Sequence, residues 1–222
     1  MGGAGRPVRI DGPDAFARLF AVSRETIRRL ELYEDLLQKW QKAVNLVAPR
    51  TLGDVWHRHF ADSAQLARLV PPEATAIVDL GSGGGFPGLV LAIVLAERAS
   101  VRVSLVESDT RKAAFLREVA RQTGVAVDIL ATRIESDETQ AKIGSVDVVT
   151  VRALAPLSRL LGLAAPLFAA GTVGLFLKGR DVQREIGEAR AGWRFEVELI
   201  PSLTEADGHV AVVRKLAAKT EG

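Results

Sequence analysis

Residues 78–88 read Val78-Asp79-Leu80-Gly81-Ser82-Gly83-Gly84-Gly85-Phe86-Pro87-Gly88, and five of the eight residues from 81 to 88 are glycine. The stretch lies between a short apolar run, AIVDLG (76–81), and an apolar segment of helical length, FPGLVLAIVLAER (86–98). A glycine-rich turn from strand to helix is where open α/β sheets bind ligands, at the carboxyl ends of their strands. Glycine permits positive φ and lets a ligand approach the backbone. Pro87 suits the first turn of the helix that follows.

Outward from this turn, element types alternate. Strands are expected at 101–108, 125–133, 145–153 and 172–179, with helices at 110–124, 155–171 and 181–191. Two more strands, 193–200 and 209–216, have only the loop from Pro201 to Gly208 between them, which predicts an antiparallel pair. Strands alternating with helices imply a mostly parallel sheet. Seven strands with a reversed one at the end is the arrangement of the Rossmann-like methyltransferases. Before Pro71-Pro72 the chain reads as helical. Ser23 caps a helix whose apolar residues (Ile27, Leu30, Tyr33, Leu37, Trp40, Val44, Val47) continue to Pro49, and a second helix covers 51–70. The expected organisation is a helical extension, 1–70, packed on a catalytic domain, 71–222. The helices at 24–47 and 51–70 carry basic residues, but residues 1–60 hold ten Lys or Arg against seven Asp or Glu, a slight surplus.

The 222 residues are 48% hydrophobic and 25% charged, with a net charge of +2. That composition belongs to a globular chain and excludes a fibre or a disordered tail. There is no cysteine. Disulfides, thiolate metal sites and cysteine nucleophiles are therefore excluded. The first ten residues lack the apolar core of a signal peptide, and the most apolar windows are about half a membrane span. A soluble, cytoplasmic, monomeric protein is expected, without a membrane or metal partner.

Two ligands compete for the glycine turn. Residues 83–88 match GxGxxG, the dinucleotide pattern, but a glycine run supplies such registers by chance. The other reading is Asp79-x-Gly81-x-Gly83. An acid there would repel a pyrophosphate and attract the ammonium of a methionine moiety, directly or through water. S-adenosylmethionine carries that ammonium and no phosphate, so Asp79 favours it over NAD. Glu107, 24 residues after Gly83 at the end of the next strand, is placed to accept both ribose hydroxyls of an adenosine. Ser82 and Ser108 neighbour these positions.

Over roughly residues 25–216 the chain resembles the bacterial 16S ribosomal RNA guanine-N7 methyltransferases of the glucose-inhibited-division-B type. The resemblance rests on Asn45-Leu46, on His59-Phe60-Ala61-Asp62-Ser63, and on VDLGSGGGFPGLVLAI (78–93). It continues through VESDTRKAAFLREV (106–119), Arg133-Ile134-Glu135, VRALAPL (151–157) and Lys178-Gly179. It implies S-adenosylmethionine as cofactor and 16S ribosomal RNA, or the small ribosomal subunit, as substrate. Gly81 and Phe86 would line the methionine end, Glu107 would hold the ribose, and Ile134 and Glu135 would flank the adenine. Arg152 would stand at the methyl-transfer side, with Arg133, Lys178, Asn45 and Arg58 toward RNA. Val151 stands where alanine or serine is usual.

Guanine N7 has a free lone pair at neutral pH, so attack needs no general base. The sequence shows no catalytic triad and no box for amino-group methylation. An arginine bonded to both O6 and N7 would block the target atom, so phosphate or O6 contacts are expected of the rim cations. His59 and Asp62, three apart, could touch. Two other readings stay open on the residues alone: a methyltransferase for a small molecule or protein, and an NAD-binding module.

Overall fold

The computed structural model describes residues 9–219. The comparison of the first ten residues with a signal peptide falls mostly outside them. Two helices come first, α1 (Pro13–Phe20) and α2 (Arg24–Trp40). The Ser23 side chain accepts from the Thr26 N–H at 3.2 Å, the expected N-cap of α2. Leu30, Tyr33, Leu36 and Leu37 bury one stripe of the helix. Arg28 and Arg29 on its outer side pair with Glu25.

α2 stops earlier than its apolar spacing predicts. Gln41 folds the chain back on itself: its Oε1 accepts from the N–H groups of Leu46 and Val47, both at 3.0 Å, and its amide donates to the Val47 carbonyl at 2.8 Å. Val44 and Val47 are buried as the pattern requires, but from a turn, and Leu46 between them is buried too. The expected helix at 51–70 is likewise irregular. A 3-10 helix (Pro49–Asp54) and a π-helix (Trp56–Ala61) precede α3 (Asp62–Ala64) and another 3-10 turn (Gln65–Arg68). The wide π turn buries five of its six residues.

The remainder alternates β1 (Ala76–Leu80), α4 (Gly88–Val94), β2 (Arg102–Val106), α5 (Thr110–Thr123), β3 (Asp128–Leu130), α6 (Asp137–Ile143), β4 (Val148–Arg152), α7 (Leu157–Ala164), β5 (Val173–Lys178) and α8 (Val182–Ala189). It closes with β6 (Trp193–Pro201) and β7 (His209–Ala218). The seven strands form one sheet in the order β3-β2-β1-β4-β5-β7-β6. β1 to β5 pair in parallel, and β7 runs antiparallel to both β5 and β6. The hairpin is the predicted one, with Pro201 opposite His209.

β3 is shorter than predicted. As an edge strand it pairs only over Ser104–Val106, and the chain then leaves the sheet for a polar turn. α6 has no counterpart among the expected elements; Ser136 caps it by accepting from Thr139 N–H.

Alternate residues of each strand face opposite sides. Ile77, Val103, Leu105 and Val148 join the core beneath α2, α4 and α5. Val78, Leu80, Val149 and Phe176 join the core beneath α7 and α8. Ile10, Phe16, Leu30 and Tyr33 belong to the first of these cores, so the amino-terminal helices share it with the sheet.

Candidate active site

β1 is the topological switch point. Its neighbours are β2 and β4, so the loops that follow β1 and β4 diverge and open a crevice. The glycine turn forms the floor of that crevice. Gly81, Gly83 and Gly85 all adopt positive φ (69°, 55° and 93°), which explains why glycine recurs there. The N–H groups of Gly81 and Ser82 donate to the Val106 carbonyl at 2.9 and 3.0 Å, tying the turn to the end of β2. From the other side the Tyr33 hydroxyl donates to the Gly84 carbonyl. The Tyr33 ring stacks on Phe86 with centroids 5.5 Å apart.

A cavity of about 890 Å³ opens above this floor. Its walls bring together Gly81, Ser82, Gly83, Phe86, Glu107 and Ser108 near the turn, then Arg133, Ile134 and Glu135 after β3, and Arg58, Arg152 and Lys178 across from them. Apart from Asp79, the residues expected from 58 to 178 thus share one space, of a volume usual for small-molecule sites.

Glu107 is buried and held firmly. One carboxylate oxygen accepts from the Gly83 N–H and the other from the Asp109 N–H, each at 2.8 Å. Each oxygen keeps a further lone pair, so the anchored carboxylate retains acceptor capacity toward the cavity it lines.

Asp79 is placed differently from its expected position. It is fully buried and does not line the cavity. Its Oδ1 accepts from Thr150 Oγ1 at 2.8 Å, and its Oδ2 has no partner. A Cβ at Gly88 would lie 2.4 Å from the Asp79 Cβ, so the start of α4 rests directly on this side chain. Burial pushes the Asp79 carboxyl up to about 6, against the pull of nearby hydroxyls, a backbone N–H and Arg152. Direct contact with a ligand's ammonium is ruled out by this burial; Asp79 supports the glycine turn from beneath.

Arg152, at the end of β4, reaches across to the irregular helix. Its Nη1 donates to the Arg58 carbonyl at 3.1 Å and lies 3.5 Å from Asp62 Oδ2, and its guanidinium sits over the Phe86 ring at 4.8 Å. Asp62 is also bonded by Thr204 and Gln65, and burial raises its carboxyl against the pull of Arg152. The side chains of His59 and Asp62 do not bond each other; only the Asp62 N–H reaches the His59 carbonyl. It bonds Thr51 Oγ1 at 2.8 Å and stacks on Phe86 at 4.8 Å. Thr51 donates its own proton to the Ala48 carbonyl, so it receives the His59 Nε2–H. Burial, with Arg152 and Arg58 nearby, lowers His59 to about 3 and keeps it neutral. His57 is structural, its two nitrogens bonded to the Ile10 N–H and the Thr204 carbonyl.

Lys178 corrects the expectation of a free RNA-binding cation. Its Nζ is 2.5 Å from Glu185 Oε2 and donates to the Ala155 carbonyl at 3.1 Å, with the side chain only 8% exposed. Glu185 also accepts from the Leu157 N–H at 2.7 Å. The lysine's charge is neutralised inside the protein, where it holds the loop after β4. Asn45 is exposed, bonded to Gln41 and outside the cavity wall; its neighbours Leu46 and Val47 line the cavity instead. Arg58 is half-exposed and paired with Glu205 at 3.4 Å. Arg133 is exposed with no carboxylate partner among the described residues, and Arg50 and Arg159 are further exposed arginines on the wall.

Among the described residues no cluster of three or more His, Cys, Asp or Glu is placed to hold a metal ion, and no helix is long and apolar enough to cross a membrane. The fold is shared by solved methyltransferases of low identity. SAH-bound Podospora anserina PaMTH1 superposes with a TM-score of 0.60 at 14% identity, covering 96% of this chain and 99% of that one. A Bacillus cereus O-methyltransferase in complex with SAH gives 0.56 at 16% identity, over 83% and 91%. Much nearer in sequence are two proteins named ribosomal RNA small subunit methyltransferase G. That of Parvibaculum lavamentivorans is 52% identical over 213 residues, covering 96% of this chain and 93% of the relative. That of Rhodospirillum centenum is 51% identical over 204 residues, covering 92% and 91%. The pattern of the family described as rRNA small subunit methyltransferase G matches residues 26–211, a span that contains the glycine turn and both walls of the cavity, and the chain belongs to that family.

Proposed function

We propose that this protein transfers a methyl group from S-adenosylmethionine to N7 of a guanine in 16S ribosomal RNA, acting as a single chain in the cytoplasm. The observation that carries the reading is Glu107. Its carboxylate is fixed by two backbone N–H groups beside the glycine turn, with acceptor capacity left toward the cavity.

The residues present fit the cofactor. Glu107 would take the ribose hydroxyls, Gly81 and Phe86 the methionine end, with Ser82 and Ser108 beside them. Ile134 and Glu135 would flank the adenine. When bound, S-adenosylmethionine would supply the methyl group, carried on a sulfonium from which the N7 lone pair can receive it without prior loss of a proton. The protein's part is alignment and shielding, which convert binding into rate. Arg152, held by Asp62 and the Arg58 carbonyl, would meet the guanine O6 or a phosphate at the methyl-transfer side.

No side chain here needs to remove a proton. His59, at about 3, is a weak base at neutral pH, and Asp79 is sealed under the turn. Arg133 and Arg58 lie on the rim, where cations grip phosphates and make affinity depend on salt. The test is to incubate the protein with labelled cofactor and undermethylated small-subunit RNA and to locate the label by mass mapping. Label on protein or small molecules of an RNA-stripped extract, with none on RNA, would replace this reading.

A further inference from the structure

The loop after β4 carries a feature that the proposed chemistry has not used. Ala153 adopts positive φ (52°), a backbone state that side chains other than glycine rarely take. Leu154 follows it, 37% exposed, on the cavity wall. Its side chain leans over the glycine turn: a Cβ at Gly81 would lie 2.7 Å from Leu154 Cδ1. The loop is pinned by the half-buried pair, with Lys178 bonded to the Ala155 carbonyl and Glu185 to the Leu157 N–H. An apolar side chain is thus held into water, on strained backbone, by one ion pair.

We infer that Leu154 is the apolar surface against which the target base lies, and that Lys178 and Glu185 are positioning residues that hold it there. The inference rests on the RNA reading above. In an A-form helix the major-groove edge that carries N7 lies in a deep, narrow groove that protein side chains do not enter. Enzymes acting on a base therefore take it out of the stack and hold it by apolar contact as well as by hydrogen bonds. Leu154 is suitably placed for that contact. It sits on the loop that follows β4, against Gly81 of the cofactor floor, and lines the same cavity as the exposed Arg159. Arg152, two residues earlier, supplies donors on the same side. The ion pair also gives a lysine at the end of β5 a role besides meeting RNA: its charge is taken up by Glu185, and it sets the height of Leu154 over the turn.

The experiment uses the full chain with Leu154→Ala, Leu154→Met and the paired change Lys178→Met with Glu185→Met. S-adenosylhomocysteine affinity is measured by calorimetry, and kcat and KM on undermethylated small subunits. Leu154→Ala is expected to leave cofactor affinity within about twofold while lowering kcat/KM for RNA about tenfold or more, with Leu154→Met recovering most of the loss. The paired change is expected to lower kcat/KM as well, and to add little once Leu154 is alanine, because residues acting through one contact are not additive. Leu154→Gln, which keeps length and removes the apolar surface, repeats the test should the alanine variant fail to fold. A Leu154→Ala protein that loses cofactor affinity and keeps its RNA parameters overturns the assignment, as does one indistinguishable from wild type. Wild type in the same assay separates the two readings: inactivity on this RNA overturns the substrate reading and this inference together, whereas activity indifferent to Leu154 overturns this inference alone.

Discussion

Tyr33, on α2, donates its hydroxyl to the carbonyl of Gly84, 51 positions later and inside the turn that floors the cavity. Burial holds the phenol well above its usual titration range, so it remains a donor at any working pH. The amino-terminal helices are therefore part of the site's support. Tyr33→Phe should leave the Gly84 carbonyl unsatisfied and cost about 1–3 kcal/mol of stability by denaturant titration, the usual range for a stranded buried partner. An unchanged midpoint would mean the contact is dispensable.

Glu107→Ala should weaken S-adenosylhomocysteine binding by ~1–3 kcal/mol in calorimetry, through lost charge-assisted hydrogen bonds. In the wild-type protein the same ligand should raise the melting temperature, since it binds only the folded state, and NAD should not. A dissociation constant untouched by Glu107→Ala would remove this residue from the site.

Asp79 titrates at about 6 in the folded protein against an ordinary 3.8. Its raised value means the folded state holds a proton the unfolded chain releases, so this contribution is full below about 3.8 and lost as pH rises through 6. His59, at about 3 against 6.5, has the opposite sign: its contribution is intact above 6.5 and lost as pH falls toward 3. Asp79→Asn should therefore compare more favourably with wild type at pH 8 than at pH 5. Melting curves at the two pH values check this, and a difference that stays constant would show that the carboxyl does not titrate with folding.

Arg133→Ala should weaken RNA binding and flatten the plot of log affinity against log salt by about one unit, as loss of one phosphate contact does. Lys178→Met should leave that slope as it is, because its charge already belongs to Glu185. Filter binding of small-subunit RNA across a salt series distinguishes them. A flattened slope for Lys178→Met would show that the lysine leaves its partner to meet RNA.

What the sequence shows and hides follows from how local each signal is. The glycine turn, Glu107 and the closing hairpin were legible because backbone conformation and strand order write them into short, contiguous stretches. Gln41 was not, since an apolar spacing that runs on to Val47 does not reveal that a side chain folds the last residues back. Asp79 and Lys178 were placed on the right strand ends, but the sequence does not say whether an end faces the crevice or is covered. Asp79 is covered by Gly88 of the next helix, and Lys178 is claimed by Glu185, seven residues on, once α8 packs back over β5. Leu154 falls within VRALAPL, but its exposure was not legible there, because it depends on one backbone angle at Ala153 and on that distant ion pair.

The most direct measurement is nucleotide-resolution mass mapping of 16S ribosomal RNA, taken from small subunits that lack the modification and treated with this protein and labelled S-adenosylmethionine. The account predicts one 7-methylguanosine, formed in single turnover at a rate nearly flat between about pH 6.5 and 8.5 because no proton leaves before attack. Label on a guanine amino group or another ring atom, or a rate rising about tenfold per pH unit as a required deprotonation would demand, contradicts it.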